Sequence, residues 1–383
     1  MKVGIVVPFS WSYWGGVVEH AENQARSLEA LGVEAKILLG NDPPGKLTRM
    51  LHPRTGRHGA LPANVIPLGR SVIVPANGSL PNIVLSPASF PRMKRILRRE
   101  RFDVLHLHEP MTPAICVEAL VLAECPVVAT WHAAGELRWM KHALHFWGFL
   151  ADRVDHRIAV SEQARLSAAQ YLPGDYDVIP NGVMIPPHAD PGEREHSVVF
   201  IGRHDPRKGL AVLLRAWPEI HRRTGARLRL VGADPLQARF LLTRLRVPED
   251  GIDVLGILTD DELTGELLRA KALVSPALGG ESFGMVLTRA FACATPAVAS
   301  DIPGYAAVAT PETAVLVPPG ESEPLTEAVV ALLGDEERRR ALGEAARRLA
   351  QERYGWDDVA RRLLGVYRLL TGVSGEVAGA TRP

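Results

Sequence analysis

Long apolar runs are missing from this chain of 383 residues, and no stretch of it is long enough to cross a bilayer as a helix. The opening Met-Lys-Val-Gly-Ile-Val-Val-Pro carries one lysine and a short apolar run before turning polar, unlike a secretory signal. The expected location is therefore cytoplasmic, at most peripheral on the inner face of the membrane. An excess of one charge is missing too. Lys plus Arg number 44 against 43 for Asp plus Glu, a net charge of +1, so nucleic acid is not an expected partner. Cysteine is scarce: Cys116, Cys125 and Cys293 are too scattered for a disulfide framework or a zinc site, and suit a reducing compartment. Cys-x-x-Cys and the phosphate loop of the ATPases are absent as well. What remains, at 46% hydrophobic and 23% charged residues, is the composition of an ordinary globular protein with room for two or three domains.

Short apolar runs alternate with longer amphipathic segments. Strands are expected at residues 3–7, 36–39, 103–106, 126–130 and 156–160, with a first helix over 18–31 ended by Gly32, and a long loop over 41–64. The pattern restarts near residue 197. Strands are expected at 197–201, 227–231, 253–255, 272–275 and 296–299, with helices between them and a helical segment over 336–370. This alternation predicts an α/β fold of two Rossmann-like, doubly wound domains facing a cleft. The expected domains are 1–180 and 181–355, with a last helix and a frayed tail over 356–383. In such sheets ligands bind beyond the carboxyl ends of the strands, so the loops there are the candidates.

Five stretches stand out. Gly15-Gly16 would let a backbone approach a phosphate or sugar closely, and would equally suit a tight turn. Gly202-Arg203 with Lys208-Gly209 forms a plausible diphosphate clamp, or a solvated basic loop with Arg207 as bystander. Gly279-Gly280-Glu281-Ser282-Phe283-Gly284-Met285 places one carboxylate among glycines before a helix. Its amides can hold an anion and Glu281 can accept from sugar hydroxyls; an acid complementing the helix dipole is the simpler alternative. His106 and His108 alternate on a strand with no convincing third metal ligand, and His132 sits at a strand end, where packed histidines are commoner than catalytic ones. Residues 92–101 form a basic amphipathic helix that could lie on an anionic bilayer or pack one face on a sheet.

Taken together these motifs resemble the retaining GT-B glycosyltransferases of the family 4 type, above all the actinobacterial phosphatidylinositol mannosyltransferases. The resemblance runs from Gly15-Gly16-Val17 through His106-Leu-His108-Glu109-Pro110, Val128-Ala-Thr-Trp-His132, Ile158-Ala-Val-Ser161 and Ile179-Pro-Asn-Gly182-Val183. It continues through the 202–209 and 279–284 loops to Tyr354-Gly-Trp356 and a final helix that in this fold crosses back to the first domain. It implies that Arg203 and Lys208 hold the donor diphosphate, that Glu281 binds the transferred sugar and that His132 contacts it near the acceptor. Gly15, Gly16, Gly202, Ser282, Phe283, Gly284, Met285 and Arg289 would complete the donor site. No metal or other cofactor is implied beyond the nucleotide-sugar co-substrate, a GDP-sugar.

Arg289 departs from the pattern: the family places a ribose-binding glutamate there, and a cation cannot accept hydrogen bonds. Trp11, Tyr13, Trp14, Trp131 and Trp139 crowd the expected acceptor region, where rings can stack on a sugar or simply pack in the core. The expected reaction is transfer of mannose from GDP-mannose to an inositol-lipid hydroxyl. A soluble acceptor with an unusual donor, and a non-catalytic relative that binds a nucleotide sugar, are the alternatives.

Overall fold

The computed structural model describes residues 1–13, 15–51, 60–74, 82–133, 144–189, 193–203 and 205–372. The chain divides into two units, Met1–Gly182 with the segment from Trp356 onward, and Val183–Gly355.

The first unit is built on a parallel sheet. β1 (Lys2–Ser10), β2 (Glu34–Gly40), β3 (Val65–Gly69), β6 (Val104–His108), β7 (Val127–Trp131), β8 (His156–Ala159) and β9 (Asp177–Val178) lie in the order β3-β2-β1-β6-β7-β8-β9. A short antiparallel pair, β4 (Ser71–Ile73) and β5 (Asn82–Val84), joins it through β1. The central strands read as nearly unbroken apolar runs because both faces are covered. On one face Val6, Leu105, Leu107 and Ala129 pack with helices α3 (Ser89–Glu100), α4 (Ile115–Leu122) and α5 (Leu144–Ala151). On the other, Ile5, Val7, Val104 and Val128 pack with α1 (Gly16–Ala30) and with α13 (Trp356–Thr371). The remaining helices of this unit are α2 (Lys46–Leu51) and α6 (Glu162–Ala169).

The second unit, also parallel, runs β12-β11-β10-β13-β14-β15. Its strands are β10 (Glu195–Ile201), β11 (Arg227–Val231), β12 (Ile252–Gly256), β13 (Ala270–Ser275), β14 (Ala297–Ser300) and β15 (Ala314–Val317). Its helices are α7 (Leu210–Thr224), α8 (Pro235–Leu245), α9 (Asp260–Arg269), α10 (Met285–Ala292), α11 (Ser322–Gly334) and α12 (Glu336–Leu349).

In both sheets the strand order reverses beside the first strand. β1 lies between β2 and β6, and β10 lies between β11 and β13. The connections leaving β1 and β6, or β10 and β13, depart to opposite faces, which opens a crevice at the carboxyl ends of those strands. The 15–16, 202–209 and 276–284 loops follow such strands.

Several expectations need correction. The 41–64 stretch contains α2 and is not all loop. β3, β4, β5, β9 and β15 were not expected, being short or weakly alternating. The helical segment over 336–370 is present as two helices, α12 and α13. α12 ends in a π-helical turn at Ala350–Tyr354, Gly355 is extended at φ −60° and ψ 136°, and α13 starts afresh at Trp356. The break lets Trp356 return to the first unit, where it is buried with Val359, Leu363 and Tyr367. Gly182 is required there, because a Cβ would fall 2.3 Å from the Trp356 indole. Gly182→Ala should therefore destabilise the first unit by about 1–3 kcal/mol, and Trp356→Ala by about 3–5 kcal/mol. Urea unfolding followed by far-UV circular dichroism measures both.

Candidate functional site

In the second unit the loops after β10 and β13 meet at the point of strand reversal. Asp205 opens a short 3-10 turn, Pro206–Lys208, by accepting from the Arg207 amide at 2.9 Å, and Arg207 returns a fork of guanidinium bonds to the Asp205 carboxylate. That bond holds the Asp205 carboxyl below its ordinary range. Arg207 is thus no bystander: its carbonyl accepts from Leu278 N–H at 2.7 Å and ties the two loops together. Gly209 has φ +72°, and a Cβ on it would lie 1.7 Å from the Pro276 carbonyl oxygen. This close approach brings Lys208 to Glu281, with Nζ 2.6 Å from Oε1 and both side chains partly accessible. Gly304 presses from the other side, since its Cβ would lie 1.9 Å from the Glu281 carbonyl oxygen.

Arg203 is exposed on the same loop as Lys208. Phe283 is buried edge-on against Tyr354, at 5.5 Å between ring centres, and Gly284 takes φ +89° where Tyr305 leaves little space. Arg289, on α10, is mostly buried and its guanidinium lies 3.2 Å from the Asp260 carboxylate at the start of α9. Of the residues singled out in sequence, the structure brings Lys208 and Glu281 into contact, and leaves Arg203 exposed on the same loop. Sequence reasoning missed Asp205 and Gly304, for which the only signals were an acid at an N-cap spacing and a Pro303-Gly304 pair.

In the first unit, α1 begins at Gly16 from an extended Gly15, whose Cβ position is open. Glu109 has φ +51°, and its Oε1 accepts from the His132 and Ala133 amides at 2.9 and 2.8 Å, which fixes the turn after β7. Burial pushes the Glu109 carboxyl up, and those two bonds oppose the rise. His132 Nε2 is 2.8 Å from His108 Nδ1. His106 is engaged elsewhere, with Nδ1 2.6 Å from the Tyr367 hydroxyl and Nε2 2.7 Å from Thr130 Oγ1. The third histidine neighbour of this group is His20, from the buried stripe of α1, which sequence reasoning passed over. A polar residue among Ala21, Ala25 and Leu28 was the available signal. His20, His108 and His132 have ligand atoms within 4.8 Å of one another. Burial pushes every member of this group down, His106 to about 3 and His132 to about 4.

The helices at these loops start from glycine, though α3, α4 and α11 also lack a capping side chain, at Ala88, Ala114 and Glu321. α1, α7 and α10 begin from Gly15, Gly209 and Gly284 with no capping side chain. By contrast α6, α8, α9 and α12 are capped by Ser161, Asp234, Thr259 and Asp335. First-turn amides without a capping side chain suit an anionic ligand.

The aromatic expectation is corrected in part. Trp11 and Trp131 belong to the packed interior, Trp131 edge-on to Tyr176, so neither ring is offered to an acceptor. Tyr13 is half-buried, its hydroxyl pushed up to about 12 by burial. Trp14 and Trp139 lie outside the described residues. On α3, Met93 and Ile96 are buried in the core while Arg92, Lys94, Arg95, Arg98 and Arg99 are exposed. The Met93 and Ile96 face of that helix is therefore turned inward, and Phe90 at its start is its one large exposed apolar side chain.

Two parallel α/β units with loops gathered at their strand reversals are the GT-B architecture of glycosyltransferases. A family model described as glycosyltransferase family 4 matches residues 14–185, and one described as glycosyl transferases group 1 matches residues 195–335. A phosphatidyl-myo-inositol mannosyltransferase of Mycobacterium leprae is 34% identical over 396 residues, covering 100% of both chains. Its namesake in Propionibacterium freudenreichii is 33% identical over 379 residues, covering 96% of this chain and 94% of its own. Among solved structures, HepE of Anabaena in complex with UDP superposes with a TM-score of 0.72 at 19% identity, over 97% of this chain and 100% of that one. The chain belongs to the family 4 glycosyltransferases, and it is a hexosyltransferase.

The neutral histidines set a pH dependence. A folded pKa below the unfolded value means that the unfolded state takes up protons first, so stability is full above about pH 6.5 and falls as pH drops. With His106 at about 3, that residue alone should cost about 2 kcal/mol between pH 7 and pH 5. In urea melts with a chelator present, His106→Gln should lose about 2 kcal/mol less over that interval than the wild type; an equal loss would mean that His106 is not held neutral.

Proposed function

We propose that this enzyme transfers mannose from GDP-mannose to a hydroxyl of an inositol phospholipid with retention at the anomeric carbon. The contact between Lys208 and Glu281 carries the chemistry. It sets a cation, glycine amides and a sugar-accepting carboxylate side by side at the carboxyl ends of β10 and β13. As the glycosidic bond breaks, negative charge gathers on the leaving diphosphate. Lys208, Arg203 and the start of α10 meet that charge, without a metal ion. Glu281 gives up part of its bond to Lys208 and accepts from hydroxyls of the transferred sugar. The acceptor attacks from the face the leaving group vacates, and a phosphate oxygen takes its proton. His132 contacts the reacting sugar.

The lipid acceptor is supported by the names of the full-length relatives. The exposed cations of α3 supply a peripheral contact with anionic membrane, and among the described residues no helix is long and apolar enough to cross one. Arg289 takes its place in the donor site through its partner. It cannot accept from a ribose hydroxyl, but Asp260 beside it brings a carboxylate that can. Arg289→Glu would set two carboxylates against each other and should weaken nucleotide binding; tighter binding would show that Asp260 has no such part.

The test is transfer from GDP-mannose to vesicles containing phosphatidylinositol. A mannolipid with the donor's anomeric configuration is expected. Transfer only to free inositol phosphates, or only from another nucleotide sugar, would overturn the reading. Lys208→Ala should lower kcat/KM by about 100- to 1,000-fold and change folding stability by no more than about 1 kcal/mol.

A further inference from the structure

Three imidazoles from three separate elements converge inside the first unit. His20 comes from α1, His108 from the end of β6 and His132 from just past β7, and their ligand nitrogens lie within 4.8 Å of one another. The ring centres form a near-equilateral triangle with sides of 5.2, 4.9 and 5.0 Å. Imidazoles sharing one tetrahedral zinc ion, each with a Zn–N bond of about 2.0–2.1 Å, have ring centres about 5 Å apart. The triangle therefore already has the dimensions of a three-histidine site.

Its hydrogen bonding points the same way. His20 Nδ1 and His108 Nε2 are buried with no hydrogen-bond partner, and so is the side-chain oxygen of Asn181 beside them. Unpartnered polar atoms in an interior are costly, and a bound cation would satisfy His20 Nδ1 while His108 and His132 turn their facing nitrogens to it. The surroundings hold the rings in place. His106 stacks on His108 at 4.7 Å between centres and 14° between planes, while Trp356 packs edge-on against His20 at 4.8 Å. Glu109, bonded to the His132 amide, brings a carboxyl group next to the cluster.

We propose that His20, His108 and His132 bind one first-row divalent ion of the zinc class, with a fourth position open to water. Imidazole donors select zinc, cobalt, nickel or copper over magnesium and manganese. The rings bind as neutral ligands. The proton now held in the 2.8 Å contact between His108 and His132 moves to the other nitrogen of its ring, so no net charge is released. The bound ion fastens α1 to the ends of β6 and β7, and with it the glycine start of α1. This site shares His132 with the transfer chemistry proposed above, so its test reads metal binding itself and not turnover.

Cobalt titration of the chelator-stripped full-length enzyme tests it. One equivalent should bind with the strong visible absorption of tetrahedral cobalt, and zinc but not magnesium should displace it. Zinc should also raise the melting temperature. His20→Gln and His108→Gln should abolish the tetrahedral signal, whereas His106→Gln, whose ring nitrogens are both engaged elsewhere, should keep it. Should the variants fail to fold, X-ray absorption on the zinc-loaded wild type decides, three imidazoles on the metal supporting the site and any other ligand set overturning it. Absence of cobalt binding at equimolar protein, or a signal unchanged in His20→Gln and His108→Gln, would also overturn it.

Discussion

A side chain at position 209 would collide with the Pro276 carbonyl oxygen, and the second unit's site exists because none is there. The bare backbone at Gly209 lets the loop after β10 lie directly on the loop after β13. Lys208, next in sequence, then reaches Glu281. Asp205 and Arg207 set the turn, and Gly304 seats the Glu281 backbone from the opposite side. A cation and an acid near the start of α10 attract each other at a distance where either could serve a ligand instead. Such a pair holds its geometry and yields to another charged partner at little cost, because both groups are partly solvated.

The first unit solves a different problem with different means. Four histidines, a glutamate and an asparagine lie in an interior where charge is expensive, so the imidazoles stay neutral and take one another, Tyr367 and Thr130 as partners. The ordering is strict at His106, where both nitrogens are bonded, and looser at His20 and His108, each with one unpartnered nitrogen. α13 is part of this arrangement. Its Trp356 and Tyr367 close over the group, which explains why the chain ends α12 in a π-helical turn and starts a new helix instead of continuing the old one.

Arg289 and the residues of α3 show how the same side chain reads differently in isolation and in context. Arg289 is a misfit on the pattern of its family, but with Asp260 opposite it the local charge is balanced. The α3 stripe of Met93 and Ile96 looks like a membrane-inserting face until the sheet beneath it is seen; that stripe is spent on the core, and the cations remain outside with Phe90 at the helix start.

Local pattern was enough to determine the class of fold and to single out the loops that carry Lys208 and Glu281. Alternating apolar runs and amphipathic helices dictate covered parallel sheets, and glycines flanking Lys208 and Glu281 mark strand-end loops, because backbone requirements act over a few residues. Tertiary structure alone decided which histidines meet, that Trp11 and Trp131 are core, and that Gly304 bears on Glu281. Those contacts join segments far apart in the chain. Their partners are chosen by sheet order and helix packing, which no short window of sequence contains.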